Sequence, residues 1–225
     1  MVNRAISKNQ VFAHRGLWKA VGLAGNSREA IVNSLRNGFS LETDIRDINQ
    51  RIVVSHDPTH SASAFLTLET LLDELQARGN GQQTVALNVK ADGLALIESR
   101  VFDQVRELQD QVYFFDMSIP ETLRYSRASL PFGIRASEYE SITEIGDSLW
   151  PSRPSAVWVD GFHGDWFLER DGASILKLAD SLLVTIVSPE LHGRDSSRLE
   201  AWFKKHAPDN KNLTVCTDYP ERFLL

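Results

Sequence analysis

The chain has 225 residues, 42% hydrophobic and 24% charged, which is enough apolar material for one large core and shows no compositional sign of disorder. A net charge of -6 argues against a nucleic-acid-binding face, because phosphate-backbone binding draws on clustered Lys and Arg. One cysteine, Cys216, excludes an internal disulfide and a cysteine-based zinc site.

The length favours a single domain over residues 1–225. The opening stretch MVNRAISKNQ lacks the apolar core of a secretory signal. No apolar run reaches the ~20 residues needed to cross a bilayer, so a cytoplasmic protein without a membrane span is expected.

Apolar strand-like runs alternate with helical patterns along the chain, an order that predicts a parallel sheet. The runs are Val11–His14, Leu41–Ile45, Thr84–Lys90, Val112–Met117, Phe132–Ala136, Ala156–Phe162, Leu182–Ser188 and Leu213–Thr217. Their number matches a single (β/α)8 TIM-type barrel of the α/β class. Arg51–His56 is a further short alternation, with Asn49-Gln50 as the turn of a hairpin excursion after the second strand.

Leu68, Leu71, Leu72 and Leu75 recur at helical spacing, as do Leu94, Ile97, Val101, Val105 and Leu108. Asn26 with Glu29 and Ser118 with Glu121 have capping-box spacing, and Pro120 suits a first helical turn. Ser137–Leu149 and Asp195–Ala207 read as further helices, and so does the later part of Gly161–Asp180. Only Glu221–Leu225 follow the last strand, so the final helix is expected to be absent or a single turn.

In a parallel barrel, the carboxyl ends of the strands converge on one face, where active sites are built. Here those ends read His14-Arg15-Gly16, then Glu42 and Asp44, His56-Asp57 after the hairpin, and Asn88 with Lys90. Glu42 and Asp44 lie two apart on one strand and share its inner face. Two inward carboxylates need a cation between them. A hard ion such as Mg²⁺ or Ca²⁺ fits, and so does an ion pair with Arg15 or Lys90 without any metal. His14 and His56 each close an apolar run beside a charged residue, where imidazoles can serve as general acid and base or attack phosphorus directly.

The motifs AHRG at Ala13–Gly16, NSREAI at Asn26–Ile31, LETDI at Leu41–Ile45, VVSHDP at Val53–Pro58, LNVK at Leu87–Lys90 and CTDYP at Cys216–Pro220 occur in that order. In this the chain resembles the glycerophosphodiester phosphodiesterase family, within the phospholipase-C-like phosphodiesterase barrels. The resemblance implies one divalent cation, Mg²⁺ or Ca²⁺, on Glu42 and Asp44, with His14 and His56 as the catalytic pair and Arg15 and Lys90 holding phosphate. It implies a small phosphodiester substrate, cleaved to a phosphomonoester and an alcohol or through a cyclic phosphate.

Three departures stand out. The family's third acidic ligand, two residues before the lysine, is Asn88 here, whose amide oxygen can still coordinate but brings no charge. The family's Glu-Asn-Thr reads Gly25-Asn26-Ser27, and only Thr59–Leu66 stand where many members insert a cap. The first two changes leave open a weakly catalytic or non-catalytic barrel that binds a phosphorylated ligand.

Asp160, Glu190, His192 and Arg194 follow later strands and are candidates for a leaving-group pocket or for loop contacts among themselves, and His163 flanks Asp160. Trp158 and Trp166 read as packing, Asp218 as a structural tie closing the barrel, and His60 and His206 as surface residues.

Overall fold

A computed structural model describes residues 5–58, 65–94, 101–141, 150–169 and 171–224. Its strands are β1 (Val11–His14), β2 (Ser40–Ile48), β3 (Arg51–Val54), β4 (Val85–Val89), β5 (Val112–Phe115), β6 (Gly133–Ala136), β7 (Ala156–Val159), β8 (Leu183–Val187) and β9 (Leu213–Thr217). Eight of them run parallel in the order β5-β4-β2-β1-β9-β8-β7-β6. A parallel bridge between Phe114 and Phe132 brings the two ends of this sheet together. The result is a nearly closed TIM-type barrel.

The remaining strand, β3, pairs antiparallel with the outer part of β2, from Ile45↔Val54 to Ile48↔Arg51. Asn49 and Gln50 both have positive φ, 49° and 63°, the backbone that a tight two-residue hairpin turn requires. The expected excursion is therefore present, and it lengthens β2 beyond Ile45.

Helices α1 (Arg28–Arg36), α2 (Leu68–Arg78), α3 (Val101–Glu107), α4 (Ile119–Arg127), α5 (Trp166–Glu169), α6 (Gly172–Ala179) and α7 (Ser197–His206) lie between the strands. Alternation along each strand sorts its side chains into two layers. Leu41 and Ile45 of β2, and Val85, Leu87 and Val89 of β4, face outward into one cluster with Leu68, Leu71, Leu72 and Leu75 of α2. The inward set holds Phe12, Ala86, Tyr113, Phe115, Trp158, Val187 and Cys216, which plug the barrel below its mouth. As expected, a single 3-10 turn, Pro220–Phe223, follows β9.

Three local readings are corrected. The cap of α1 is Ser27, which accepts from the Ala30 amide, so the Asn26–Glu29 capping box does not form. Residues 137–140 make bends instead of starting a helix, because Ser137 Oγ accepts from the Tyr139 amide and donates to Glu140, which Arg135 also grips; residues 142–149 of that stretch lie outside the described residues. The runs ending at Lys90, Met117, Phe162 and Ser188 stop earlier as strands, at Val89, Phe115, Val159 and Val187. Ile97 and His60 also fall outside the described residues.

Helices α1 and α2 are clamped by buried Glu74, which accepts from Arg28 Nη2 at 2.5 Å and also from Arg78. The hydrogen bond from Arg78, opposed by burial and joined by that from Arg28, lowers the carboxyl below its ordinary value. A lowered folded-state value gives stability that is present above the unfolded value of about 4.3 and is lost as pH falls through the folded one. Glu74→Gln is expected to cost about 1 kcal/mol at pH 7, since both arginines are partly exposed. In urea unfolding the gap between the two proteins should close below about pH 4; a gap independent of pH would contradict the clamp.

Candidate active site

The mouth is organised by the turn that leaves β1. Arg15 and Gly16 are left-handed, with φ of 56° and 88°. A Cβ on Gly16 would lie 2.6 Å from the Ala30 carbonyl carbon, so only glycine lets this turn press against α1. The turn continues the sheet for one more residue, Arg15 N–H donating to the Glu42 carbonyl at 2.9 Å.

Strand register then gathers the polar groups. His14 pairs with Glu42, Glu42 with Ala86, and Asp44 with Asn88. Ala86 belongs to the inner layer, so Glu42 and Asp44 face the barrel interior, both essentially buried. Burial and, second, the charge of Asp44 push the Glu42 carboxyl well above the usual carboxylate range. Asp44 is held from three sides, by Arg15 Nε at 3.0 Å, Lys90 Nζ at 3.3 Å and Asn26 Nδ2 at 2.8 Å. Arg15 Nε makes this contact as an ion pair without the alignment of a hydrogen bond.

Asn88, beside Asp44, keeps a buried Oδ1 with no hydrogen-bond partner among the described residues. A buried acceptor without a partner is costly, and a water or a cation would satisfy it. Among the described residues no three His, Cys, Asp or Glu side chains are grouped to hold a metal ion. The available donors are Glu42, Asp44 and the amide oxygen of Asn88, all hard oxygens, and this set suits one Mg²⁺ or Ca²⁺ completed by water.

His14 does not stand alone. Its Nδ1 lies 2.8 Å from Asp218 Oδ1, and its Nε2 lies 3.9 Å from Glu42 Oε2. Burial opposes charge on this imidazole, but the Asp218 hydrogen bond and the fields of Glu42 and Asp218 outweigh it and raise its affinity for a proton. Lys19 Nζ takes the other Asp218 oxygen at 2.7 Å. Burial works against the Asp218 carboxylate, yet the hydrogen bonds from His14 and Lys19 prevail and keep its proton affinity low. Glu190 braces this arrangement from behind, accepting from the Asp218 amide at 3.2 Å and from Thr217 Oγ1. Asp218 is thus the group that orients His14, a role more specific than closing the barrel.

His56 stands on the loop after β3, its side chain 44% exposed and its Nδ1 2.8 Å from Asp57 Oδ1. Arg46 Nη2 donates to the carbonyls of His56 at 3.1 Å and Lys90 at 3.4 Å, tying the two segments together. A cleft of about 1010 Å³ opens between this loop and the start of α1, with Arg15, Asn26, Ser55, His56 and Thr67 in its walls.

The opposite side of the mouth carries its own network. Counting around the barrel, β7 is four strands from β2 in either direction. At its end Asp160 accepts from His192 Nε2 at 2.7 Å, with Phe162 edge-on to the His192 ring. Arg194 is engaged elsewhere, by Asp165 at 2.6 Å and the Gly161 carbonyl at 2.5 Å. Arg135 joins Asp116 at 2.5 Å, which in turn lies 3.9 Å from Lys90. Burial raises the proton affinity of Asp116 against the opposing pull of Arg135 and Lys90. Trp158 stacks on Phe115 at 4.0 Å, and buried Trp166 donates to the Asp160 carbonyl, so both indoles do pack.

No family profile matches the sequence, and no curated protein matches it either. Solved structures do. A glycerophosphodiester phosphodiesterase from Agrobacterium tumefaciens aligns with a TM-score of 0.62 at 14% identity, over 96% of this chain and 99% of that one. This chain has the fold of the glycerophosphodiester phosphodiesterases. A glycerophosphoryl diester phosphodiesterase from Parabacteroides distasonis aligns at 0.61 and 14%, over 99% and 86% of the two chains. A phosphodiesterase from Oleispira antarctica, solved with its product sn-glycerol-3-phosphate, aligns at 0.62 and 15%, over 95% and 94%. Among the described residues no helix is long and apolar enough to cross a membrane.

Asn26, Asp116, Arg135 and Asp218 are the mouth residues whose contacts local sequence reading misses. In the structure two of them, Asn26 and Asp116, are non-glycine residues held at positive φ, 61° and 67°, a backbone strain that clusters at functional sites.

Proposed function

We propose that the chain is a divalent-cation-dependent phosphodiester hydrolase acting on a small diester of the glycerophosphodiester kind. The observation that carries this reading is the convergence of His14, Glu42, Asp44, Asn88 and the cations Arg15 and Lys90 on one barrel mouth. The likeness in fold to solved phosphodiesterases supports it.

Glu42, Asp44 and Asn88 would hold the cation, which when bound polarises the phosphoryl group. Arg15 and Lys90 bind the phosphate oxygens and offset the charge that grows on them as the diester is attacked. Asp218 fixes the Nδ1 proton of His14, which leaves Nε2 free to exchange a proton with the attacking or departing oxygen. His56 serves the other side of phosphorus. One histidine accepts the proton of the attacking water or neighbouring hydroxyl, and the other donates a proton to the leaving alkoxide, giving a monoester or cyclic phosphate and an alcohol. Asp160 and His192, across the mouth, contact the departing alcohol arm. Glu190 and Arg194 act one step back, holding the loops that carry Asp218 and Gly161.

The test is turnover of a panel of glycerophosphodiesters with Mg²⁺ or Ca²⁺ added, then with a chelator. Hydrolysis is expected with metal and at least a 100-fold loss on chelation, in line with the several kcal/mol a Lewis acid supplies, about 1.4 per tenfold. Tight binding of diesters with no turnover across the panel would instead favour a phosphate-binding barrel, the reading that Asn88 and Gly25 suggest.

A further inference from the structure

We propose that Asn26 sets the ion selectivity of the centre by restricting Asp44 to coordination through a single oxygen. The inference rests on Glu42, Asp44 and Asn88 being the cation's ligands. Asn26 lies outside that set and acts on it as a positioning residue.

Its amide has one orientation. Thr43 Oγ1 donates to Asn26 Oδ1 at 2.8 Å, and the Asp44 amide points at the same oxygen at 3.5 Å. The flipped amide would set its oxygen against a carboxylate, so Nδ2 is the atom that faces Asp44 Oδ2, at 2.8 Å. Arg15 Nε closes on that same Oδ2 at 3.0 Å. One hydrogen-bond donor and one guanidinium charge therefore occupy Oδ2. Among the described residues Oδ1 meets only the Lys90 ammonium at 3.3 Å, a partly exposed side chain with 22% of its surface open to solvent.

The backbone is built to hold this pose. Asn26 is left-handed at φ 61°, and its N–H donates to the Arg15 carbonyl at 2.9 Å. One residue thus fastens the turn bearing Arg15 to the strand bearing Asp44.

The consequence follows from the coordination habits of the two hard ions. Ca²⁺ gathers six to eight oxygens and often takes carboxylates through both, whereas Mg²⁺ accepts one or two singly bound carboxylates and keeps its waters. A clamped Asp44, a neutral Asn88 and Glu42 make a sparse, rigid set that disfavours Ca²⁺. Freeing Oδ2 should relax that bias.

Asn26→Gly keeps the left-handed backbone without strain and removes only the amide. Thr43→Val keeps the packing and removes only the hydroxyl that orients it. Titration calorimetry with MgCl₂ or CaCl₂ alone, without substrate, reads the effect, and thermal unfolding of the metal-free proteins reads stability. For Asn26→Gly, Mg²⁺ affinity is expected to fall by about tenfold, a typical loss when a group orienting a ligand is removed, with Ca²⁺ affinity falling less or rising. Thr43→Val should shift the ratio in the same direction by less. If both ions weaken equally, or only the unfolding temperature changes, Asn26 is a structural residue and the proposal is overturned. A wild type that binds neither ion overturns it as well. Because no substrate is involved, a selectivity shift in a protein that hydrolyses nothing upholds this proposal while refuting the hydrolase reading, and normal hydrolysis with an unshifted ratio does the reverse.

Discussion

His14→Ala is expected to lower kcat by about 10³-fold with little change in KM, the loss typical of a missing proton-transfer group. The imidazole is held by two contacts that do not depend on substrate, Asp218 behind Nδ1 and Glu42 beside Nε2. Asp218→Asn should cost less than His14→Ala, because it weakens the orientation and charge support of a ring that is still present. Steady-state kinetics on one diester at saturating metal measures both. Full activity in His14→Ala would remove His14 from the mechanism, and a larger loss in Asp218→Asn than in His14→Ala would mean that Asp218 itself meets the substrate.

The largest effect on stability should come from Gly16→Ala. The backbone there is left-handed, and the new methyl would sit 2.6 Å from the Ala30 carbonyl carbon, 2.7 Å from its oxygen and 2.9 Å from the Ile31 nitrogen. All three are backbone atoms in the first turns of α1, so no side-chain rotation relieves the overlap. Strain of this kind plus displacement of a helix should cost about 3 kcal/mol or more. Urea unfolding would measure it. Any folded fraction should also lose activity, because Arg15 and Asn26 are hydrogen-bonded across the same turn. A variant within about 0.5 kcal/mol of wild type, the range of an ordinary surface substitution, would show that the turn can move freely.

Much of the barrel is legible in the sequence because parallel strands are buried on both faces and read as unbroken apolar runs. The inward pair Glu42 and Asp44 follows from the two-residue period alone, and the outward packing of Leu41 and Ile45 agrees with it. The hairpin at Asn49-Gln50 follows from local turn chemistry. What sequence could not supply is contact across the closed barrel. Asp218 lies 204 residues from His14, and the two meet because closure lays β9 against β1, with Ala13 beside Thr217.

Asn26 misled for a related reason. An Asn three residues before a Glu at a helix start has the local pattern of a cap, but Ser27 takes that place. The amide is drawn instead to Asp44, which only the packed fold brings within reach. The bends at 137–140 arose the same way, through Arg135 capturing Glu140 at 2.6 Å where the local pattern pointed to a helix.

The central claim is that this mouth cleaves phosphodiesters, and phosphorus NMR of a glycerophosphodiester incubated with the metal-loaded protein tests it most directly. The account predicts that the diester resonance is replaced, over the time course, by that of a phosphomonoester or a cyclic phosphate, and that it persists with His14→Ala. A diester signal that stays unchanged with the wild-type protein across the panel would contradict it.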